Sequence, residues 1–244
     1  MNEPTLPQTE EVAQAAPSFW PGSRSRLNEH DLKHFPGDSL FERIARAVCR
    51  ANCLPRKELY ESWEVARRAR RRLRGGRVVD LACGHGLTAQ LMLLIDDSSP
   101  SALAVDRRIP LSASRLHEEL VRTWPRLDGR VRFQEARLQE ATLEASDRIV
   151  SVHACGALTD RVLDAALAAR ASVAVLPCCH DKKRSDLGGL GGWLDEAMAI
   201  DATRALRLRA AGYAVHTQQI PDSITPKNRL LLGVGPDAGA TDTR

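Results

Sequence analysis

A doubly wound α/β fold, with a mostly parallel seven-stranded sheet and an N-terminal helical extension, is predicted by three features of the sequence. From residue 77 on, short apolar runs alternate with amphipathic segments at helical spacing, the pattern of a parallel sheet covered on both faces. A Gly-rich turn joins the first of these runs to the first amphipathic segment. After five such strands, one long helix and two closing strands finish the chain. At 244 residues the chain can bury a substantial single core.

Residues 1–36 are polar and carry Pro4, Pro7, Pro17, Pro21 and Pro36, so this stretch reads as a tail without fixed structure. Residues 37–76 read as helices. Leu40, Ile44, Val48 and Ala51 recur at helical spacing in SLFERIARAVCRANC. Pro55 suits the first turn of the next helix, PRKELYESWEVARRARRRL. Leu59, Trp63, Ala66 and Leu73 share one face of it, which would leave most of its arginines outward, and Glu64 supports Arg68 four residues on. Gly75 and Gly76 end it.

The main domain is expected over 77–235. Its strands are RVVDLA, SALAVD, VRFQE, DRIVSVH and SVAVLP, with LTAQLMLLI, PLSASRLHEELVRTW and ALTDRVLDAALAAR as helices between them. A Gly-rich stretch, LGGLGGW, then leads into the long helix LDEAMAIDATRALRLRAAG. YAVHTQQI and RLLLGVG, joined by PDSITPKN, close the sheet, and 236–244 reads as a second tail. There is no internal repeat.

Composition excludes more than it identifies. Hydrophobic residues are 43% and charged residues 27%, as in ordinary globular domains, and no apolar run has the length of a membrane span. The acidic, Pro-rich start has no basic region followed by an apolar stretch, so no secretory signal is expected and a cytoplasmic location is the default. In that compartment the six cysteines stay thiols. The net charge of +4 is modest, but seven arginines fall within residues 67–77 and Asp181-Lys182-Lys183-Arg184 adds a second cluster. Such clusters are the footprint of a phosphate-bearing partner; the alternative is a solvated helix face. With 4% aromatics, stacking on unpaired bases is poorly supported.

The turn RVVDLACGHGLTA carries Gly84 and Gly86, which allow a sharp bend and close approach to a ligand. Gly84 to Ala89 also reads GxGxxA, with Asp106 twenty residues beyond Gly86, so a dinucleotide is one candidate. Asp80 points elsewhere. A carboxylate just ahead of the glycines would oppose a pyrophosphate, whereas it suits the ammonium and sulfonium of S-adenosylmethionine. The competing reading of Asp80 and Asp106 is a pair of helix N-caps.

In these residues and in strand count the chain resembles the class I methyltransferases, whose first motif D/E-x-G-x-G-x-G appears as Asp80 to Gly86 with Ala82 in place of the first glycine. The resemblance implies a Rossmann-like sheet and S-adenosylmethionine as cofactor, held by Asp80, Ala82, Gly84, Gly86, Asp106 on the ribose hydroxyls, Glu135 near the adenine, and His153. A narrower similarity follows at two successive strand ends. His153-Ala154-Cys155-Gly156-Ala157-Leu158-Thr159-Asp160 and Pro177-Cys178-Cys179-His180 resemble a subfamily that includes tRNA ribose 2′-O-methyltransferases, over roughly residues 55–234. The zinc modules of those enzymes have no counterpart here. RNA, tRNA in the sharpest version, is the partner this implies, with no membrane partner. A small-molecule or protein acceptor, a nicotinamide enzyme and a non-catalytic donor-binding module remain alternatives.

The segment PCCHDKK admits three readings. Zinc needs about four N/S ligands, and adjacent cysteines diverge from an extended chain, so no metal is expected. A thiol nucleophile would need an acidic partner motif that is not evident. The third reading is a substrate-facing wall of Cys178, Cys179, Lys182, Lys183 and Arg184, with Lys227 and Asn228 from the closing segment. If the acceptor is a hydroxyl, its proton must be taken, and His180, then His153, are the expected bases, with Asp181 orienting.

Overall fold

The structure, a computed structural model, describes residues 19–237. One sheet of seven strands runs through it in the order β3-β2-β1-β4-β5-β7-β6. The strands are β1 (Val78–Leu81), β2 (Ala102–Asp106), β3 (Val131–Glu135), β4 (Arg148–Ser151), β5 (Ser172–Val175), β6 (Ala214–Gln219) and β7 (Arg229–Val234). β1 to β5 are mutually parallel; β7 enters antiparallel beside β5, with Val175 opposite Leu231, and β6 pairs antiparallel with β7. The strand order reverses between β1 and β4, the place where open α/β sheets leave a crevice at their carboxyl ends.

Alternation along the strands explains the two layers. Val78, Ala102, Ala104, Val150, Ala174 and Leu232 face one core, while Val79, Leu103, Val105, Ile149, Val173 and Leu231 face the other. The first core is filled by α1 (Leu40–Ala51), α2 (Arg56–Ala69), α3 (Leu87–Ile95) and α4 (Ser112–Thr123); the second by α5 (Ala157–Ala169) and α6 (Glu196–Ala210). Ile44, Val48, Leu59 and Val65 therefore lie in the same core as β1, and the N-terminal helices complete one face of the sheet.

Two expectations need correction. The stretch expected as a tail to residue 36 is folded from Phe19 onward, residues 1–18 lying outside the described residues. Leu27 is fully buried and Phe35 nearly so, Asn28 caps a short 3₁₀ turn, and the Arg56 guanidinium sits 3.4 Å over the Phe19 ring. Apolar Phe19, Leu27 and Phe35 outweigh the prolines that suggested a tail. Of the second expected tail, 238–244 lies outside the described residues.

The arginine-rich helix is also not a free basic face. Arg70 is buried and donates to the carbonyls of Met92 and Leu73 and to Ser99 Oγ. Arg67 and Arg68 share Glu64, Arg74 pairs with Asp96, and Arg77 with Asp147. Arg71 and Arg72 remain exposed without an ion pair among the described residues. α2 stops at Ala69, so the later arginines turn back onto the domain instead of extending a helical stripe.

Candidate active site

The turn after β1 is built by left-handed residues at three alternate positions. Ala82, Gly84 and Gly86 have φ of 57°, 53° and 67°. A Cβ on Gly86 would meet the Phe133 ring at 2.7 Å, so glycine is required there by space as well as by conformation. A Cβ on Gly84 would meet nothing within 4 Å: it faces open space. The Gly84 amide donates to Asp106 Oδ2 at 2.9 Å, so the acid at the end of β2 also fixes the loop. Ala82 occupies a conformation that costs an L-residue about 1 kcal/mol or more. Ala82→Gly should therefore raise stability by up to about 1 kcal/mol, less what the freer unfolded chain takes back, read as a higher urea midpoint at constant slope.

Beside this loop lies a cavity of about 530 Å³, lined by Ala82, Asp106, Ala136, Leu138 and Leu158 with Arg107, Arg137, Gln139 and Arg161. Its size is that of a small-molecule site. Apolar Ala136, Leu138 and Leu158 offer a slot for a flat base, Asp106 offers a carboxylate for vicinal hydroxyls, and Gly84 leaves room for close backbone approach. The residues present fit an adenosyl group. Of the expected donor contacts, Ala82 and Asp106 line this cavity. Asp80 lies beneath the loop, nearly fully buried, accepting from the Ala89 amide at 3.2 Å, and burial pushes its carboxyl up to about 8. Glu135 turns instead to the Ile109 amide at 2.9 Å, and neither it nor His153 lines the cavity.

Arg137, Gln139, Leu158 and Arg161 were not foreseen as lining residues. Arg137 and Gln139 immediately follow the carboxyl end of β3, where open sheets bind ligands, and that position was the available signal.

β4 and β5 are neighbours, so the segments after them lie side by side as expected. The Gly156 amide donates to the Cys179 carbonyl at 3.1 Å, stitching the two together. Beyond β5 the thiols lie the reverse of the expected way: Cys178 and Cys179 do not diverge. Their sulfurs and that of Cys155 all lie within 4.8 Å of one another, Cys155 and Cys178 at 2.8 Å. Burial raises the Cys155 and Cys178 thiols above their ordinary range. A second cavity of about 430 Å³, sharing Leu158 and Arg161 with the first, is lined by Cys155, Gly156, Cys179, His180, Asp181 and Arg184.

The two histidines differ. The His180 ring, with its side chain 3% exposed, holds Asp201 Oδ1 through Nε2 at 2.8 Å, while its Nδ1 is buried without a partner. Asp201 also receives Arg229 at 2.7 Å and Arg204 at 3.2 Å. Arg204, almost wholly buried, forks onto both oxygens of Asp160 at 2.8 and 2.9 Å, and Ser185 Oγ donates to the same carboxylate. His180 thus belongs to a polar network that ties the segment after β5 to α5, α6 and β7. His153, at the end of β4, has no hydrogen-bond partner for its ring among the described residues. Burial, with Lys57 nearby, lowers its imidazole to about 4.

Asp181 is half-buried, accepts from the Lys183 amide at 3.2 Å and faces Arg184 at 3.8 Å. Lys182 pairs with Glu196 at 2.6 Å, whereas exposed Lys183 has no ion pair among the described residues. Lys227 and Asn228 sit on the β6–β7 connection, at the same carboxyl edge; Lys227 is exposed, and the Asn228 carbonyl accepts from the Ile220 amide. Arg107, Arg137, Arg161 and Arg184, all exposed, line one or both cavities, so the edge is rimmed by cations.

A family model described as a methyltransferase domain matches residues 57–185, more than half of the chain. No curated protein matches significantly. Solved structures with a similar chain course include a precorrin-6y C5,15-methyltransferase from Geobacter metallireducens, 13% identical with a TM-score of 0.47 over 70% of this chain and 88% of that one. An O-methyltransferase family protein from Burkholderia thailandensis is 18% identical, TM-score 0.47, over 84% and 67%. The B. subtilis tRNA methyltransferase TrmK is 17% identical, TM-score 0.47, over 72% and 67%. No described helix is long and apolar enough to cross a membrane.

Proposed function

Since the chain belongs to the methyltransferase-domain family and is an S-adenosylmethionine-dependent methyltransferase of class I fold, we propose that its acceptor is RNA, with a tRNA ribose hydroxyl as the specific target. The observation that carries this reading is the cationic rim. Arg107, Arg137, Arg161 and Arg184 line the two contiguous cavities, with Lys183 and Lys227 exposed at the same edge. An anionic polymer is the acceptor such a rim attracts. The pairing of the His153–Asp160 and Pro177–His180 motifs, which resembles tRNA ribose 2′-O-methyltransferases, supports the same reading. The footprint has moved from where the arginine run suggested: most of that run is engaged within the protein.

When bound, the donor supplies an electrophilic methyl on a good sulfonium leaving group, so the residues of this chain mainly bind and align. Asp106 would hold the ribose of the donor, and Ala136, Leu138 and Leu158 its base. Alignment of the acceptor against the methyl can contribute on the order of 7 to 11 kcal/mol. For a hydroxyl acceptor the candidate proton acceptors are His180, which lines the second cavity and has Nδ1 without a partner, and then His153, whose ring has no protein partner but which lines neither cavity. His180, bound to Asp201, positions the segment after β5, and Asp181 orients the wall beside it.

The test is transfer of labelled methyl from S-adenosylmethionine into small RNA from cells lacking the gene, at low and moderate salt. RNase-sensitive incorporation that falls steeply with salt is the expected result. Asp106→Ala should lose at least about tenfold in donor affinity by calorimetry, the scale of one charge-assisted hydrogen bond. Donor binding without any RNA labelling would instead point to a small-molecule or protein acceptor.

A further inference from the structure

The chemistry assigned so far does not use the three sulfurs at the junction of the two strand ends. Cys155 leaves β4, Cys178 and Cys179 leave β5, and the Gly156–Cys179 backbone hydrogen bond fixes one segment against the other. The spacing is informative. Zinc–sulfur bonds of about 2.3 Å at tetrahedral angles set sulfurs about 3.8 Å apart. The three thiols already lie within 4.8 Å of one another, and the tightest pair, at 2.8 Å, has only to open by about 1 Å. Cys155 and Cys179 are exposed and Cys178 half-buried, so an ion has a path in. The other three cysteines, Cys49, Cys53 and Cys83, take no part in the cluster.

We propose that Cys155, Cys178 and Cys179 form a three-thiolate site for one thiophilic divalent ion of the zinc class, open at its fourth coordination position. Three sulfur ligands select a soft or borderline ion over magnesium or calcium. The fourth position faces the cavity lined by His180, Asp181 and Arg184, which leaves space for water or another exogenous ligand, the pattern of zinc sites that are not purely structural. Each thiol releases its proton to solvent on coordination, and the excess negative charge of three thiolates over one divalent ion is offset by Arg161 and Arg184 on the same cavity. The ion would clamp the ends of β4 and β5 together at the mouth of the donor cavity. This site does not depend on the acceptor being RNA.

The experiment uses the full chain, reduced and stripped with a chelator, then titrated with Co²⁺ and back-titrated with Zn²⁺. One equivalent of Co²⁺ should produce a thiolate-to-cobalt charge-transfer band and the visible bands of tetrahedral cobalt, and one equivalent of Zn²⁺ should erase both. Cys179→Ser, at an exposed position, should weaken Zn²⁺ binding by about 100-fold or more, beyond the loss typical of an outer-shell partner. Cys178→Ser should do the same, while Cys53→Ser should leave it intact. No charge-transfer band in the folded, reduced chain would overturn the proposal. So would a band that survives loss of both Cys178 and Cys179, or thiols that take up no ion and instead close to a Cys155–Cys178 disulfide in air.

Discussion

Arg204→Met should destabilise the protein by about 3 kcal/mol, the lower end of the cost of removing one partner of a buried ion pair, because half-buried Asp160 loses its counter-ion while Asp201 keeps Arg229. The replacement keeps a good helix former of similar length in α6, so the loss reports the charge network and not the helix. Among the described residues Arg204 is the largest fully buried side chain and the one cation that pairs with both Asp160 and Asp201. Burial alone would raise both carboxyls. Hydrogen bonds from Arg204 and Ser185 hold Asp160 below its ordinary range, and those from His180 and Arg229 do the same for Asp201. Removing Arg204 therefore loosens Asp160, the acceptor of Ser185, and weakens Asp201, the partner of His180, at both ends of the segment that carries Lys182, Lys183 and Arg184. Urea unfolding should show a lower midpoint with unchanged slope, and amide exchange should accelerate first over residues 178–186. A loss under about 1 kcal/mol would mean that water replaces the guanidinium and that the network is not a clamp.

What was legible in the sequence, and what was not, divides along a physical line. Elements follow from periodicity, and periodicity is local: LTAQLMLLI became α3 over Leu87–Ile95, and the five expected strands appear in order. The turn after β1 was equally readable, because glycine alone adopts a left-handed backbone without steric cost, and Ala82 there carries strain. Side-chain direction is not local in that sense. Glu135 ends β3 as expected, yet its carboxylate is taken by the Ile109 amide from the β2–α4 connection, a partner 26 residues away. The arginines of 67–77 looked free because their partners, Asp96, Ser99 and Asp147, lie in other loops. The convergence of Cys178 and Cys179 belongs to the irregular segment after Val175, where no period announces side-chain direction. Arg161 reaches the donor cavity because β4, which leads into its helix, lies beside β1, a neighbour far away in the chain.

From about pH 6.5 to about pH 8 the protein without its donor should lose stability as pH rises, and Asp80 is the reason; below that range His153, lowered to about 4 by burial, acts in the opposite sense and offsets it. Its carboxyl, raised to about 8 by burial and secondarily by Asp106, stays protonated in the fold while the unfolded chain ionises it near 4. At this group the folded state then binds more protons than the unfolded one, so its contribution to stability is fully present below the unfolded value and falls until pH passes about 8. A shift of this size corresponds to several kcal/mol, at about 1.4 kcal/mol per pH unit. Asp160 and Asp201, held low, act in the opposite sense and weaken the fold only as pH drops through the acidic range. Urea midpoints at three pH values across this window should therefore decline for the natural chain. They should flatten for Asp80→Asn, which keeps the acceptor for the Ala89 amide without the charge. A cationic donor reverses the preference, because an ammonium or sulfonium near the loop favours the carboxylate. Binding of S-adenosylmethionine near pH 7 should then release up to one proton, seen as a calorimetric enthalpy that depends on the buffer's ionisation heat, and Asp80→Asn should abolish that dependence. If enthalpies agree in all buffers for the natural chain, Asp80 keeps its proton in the complex and serves only to hold the turn against α3.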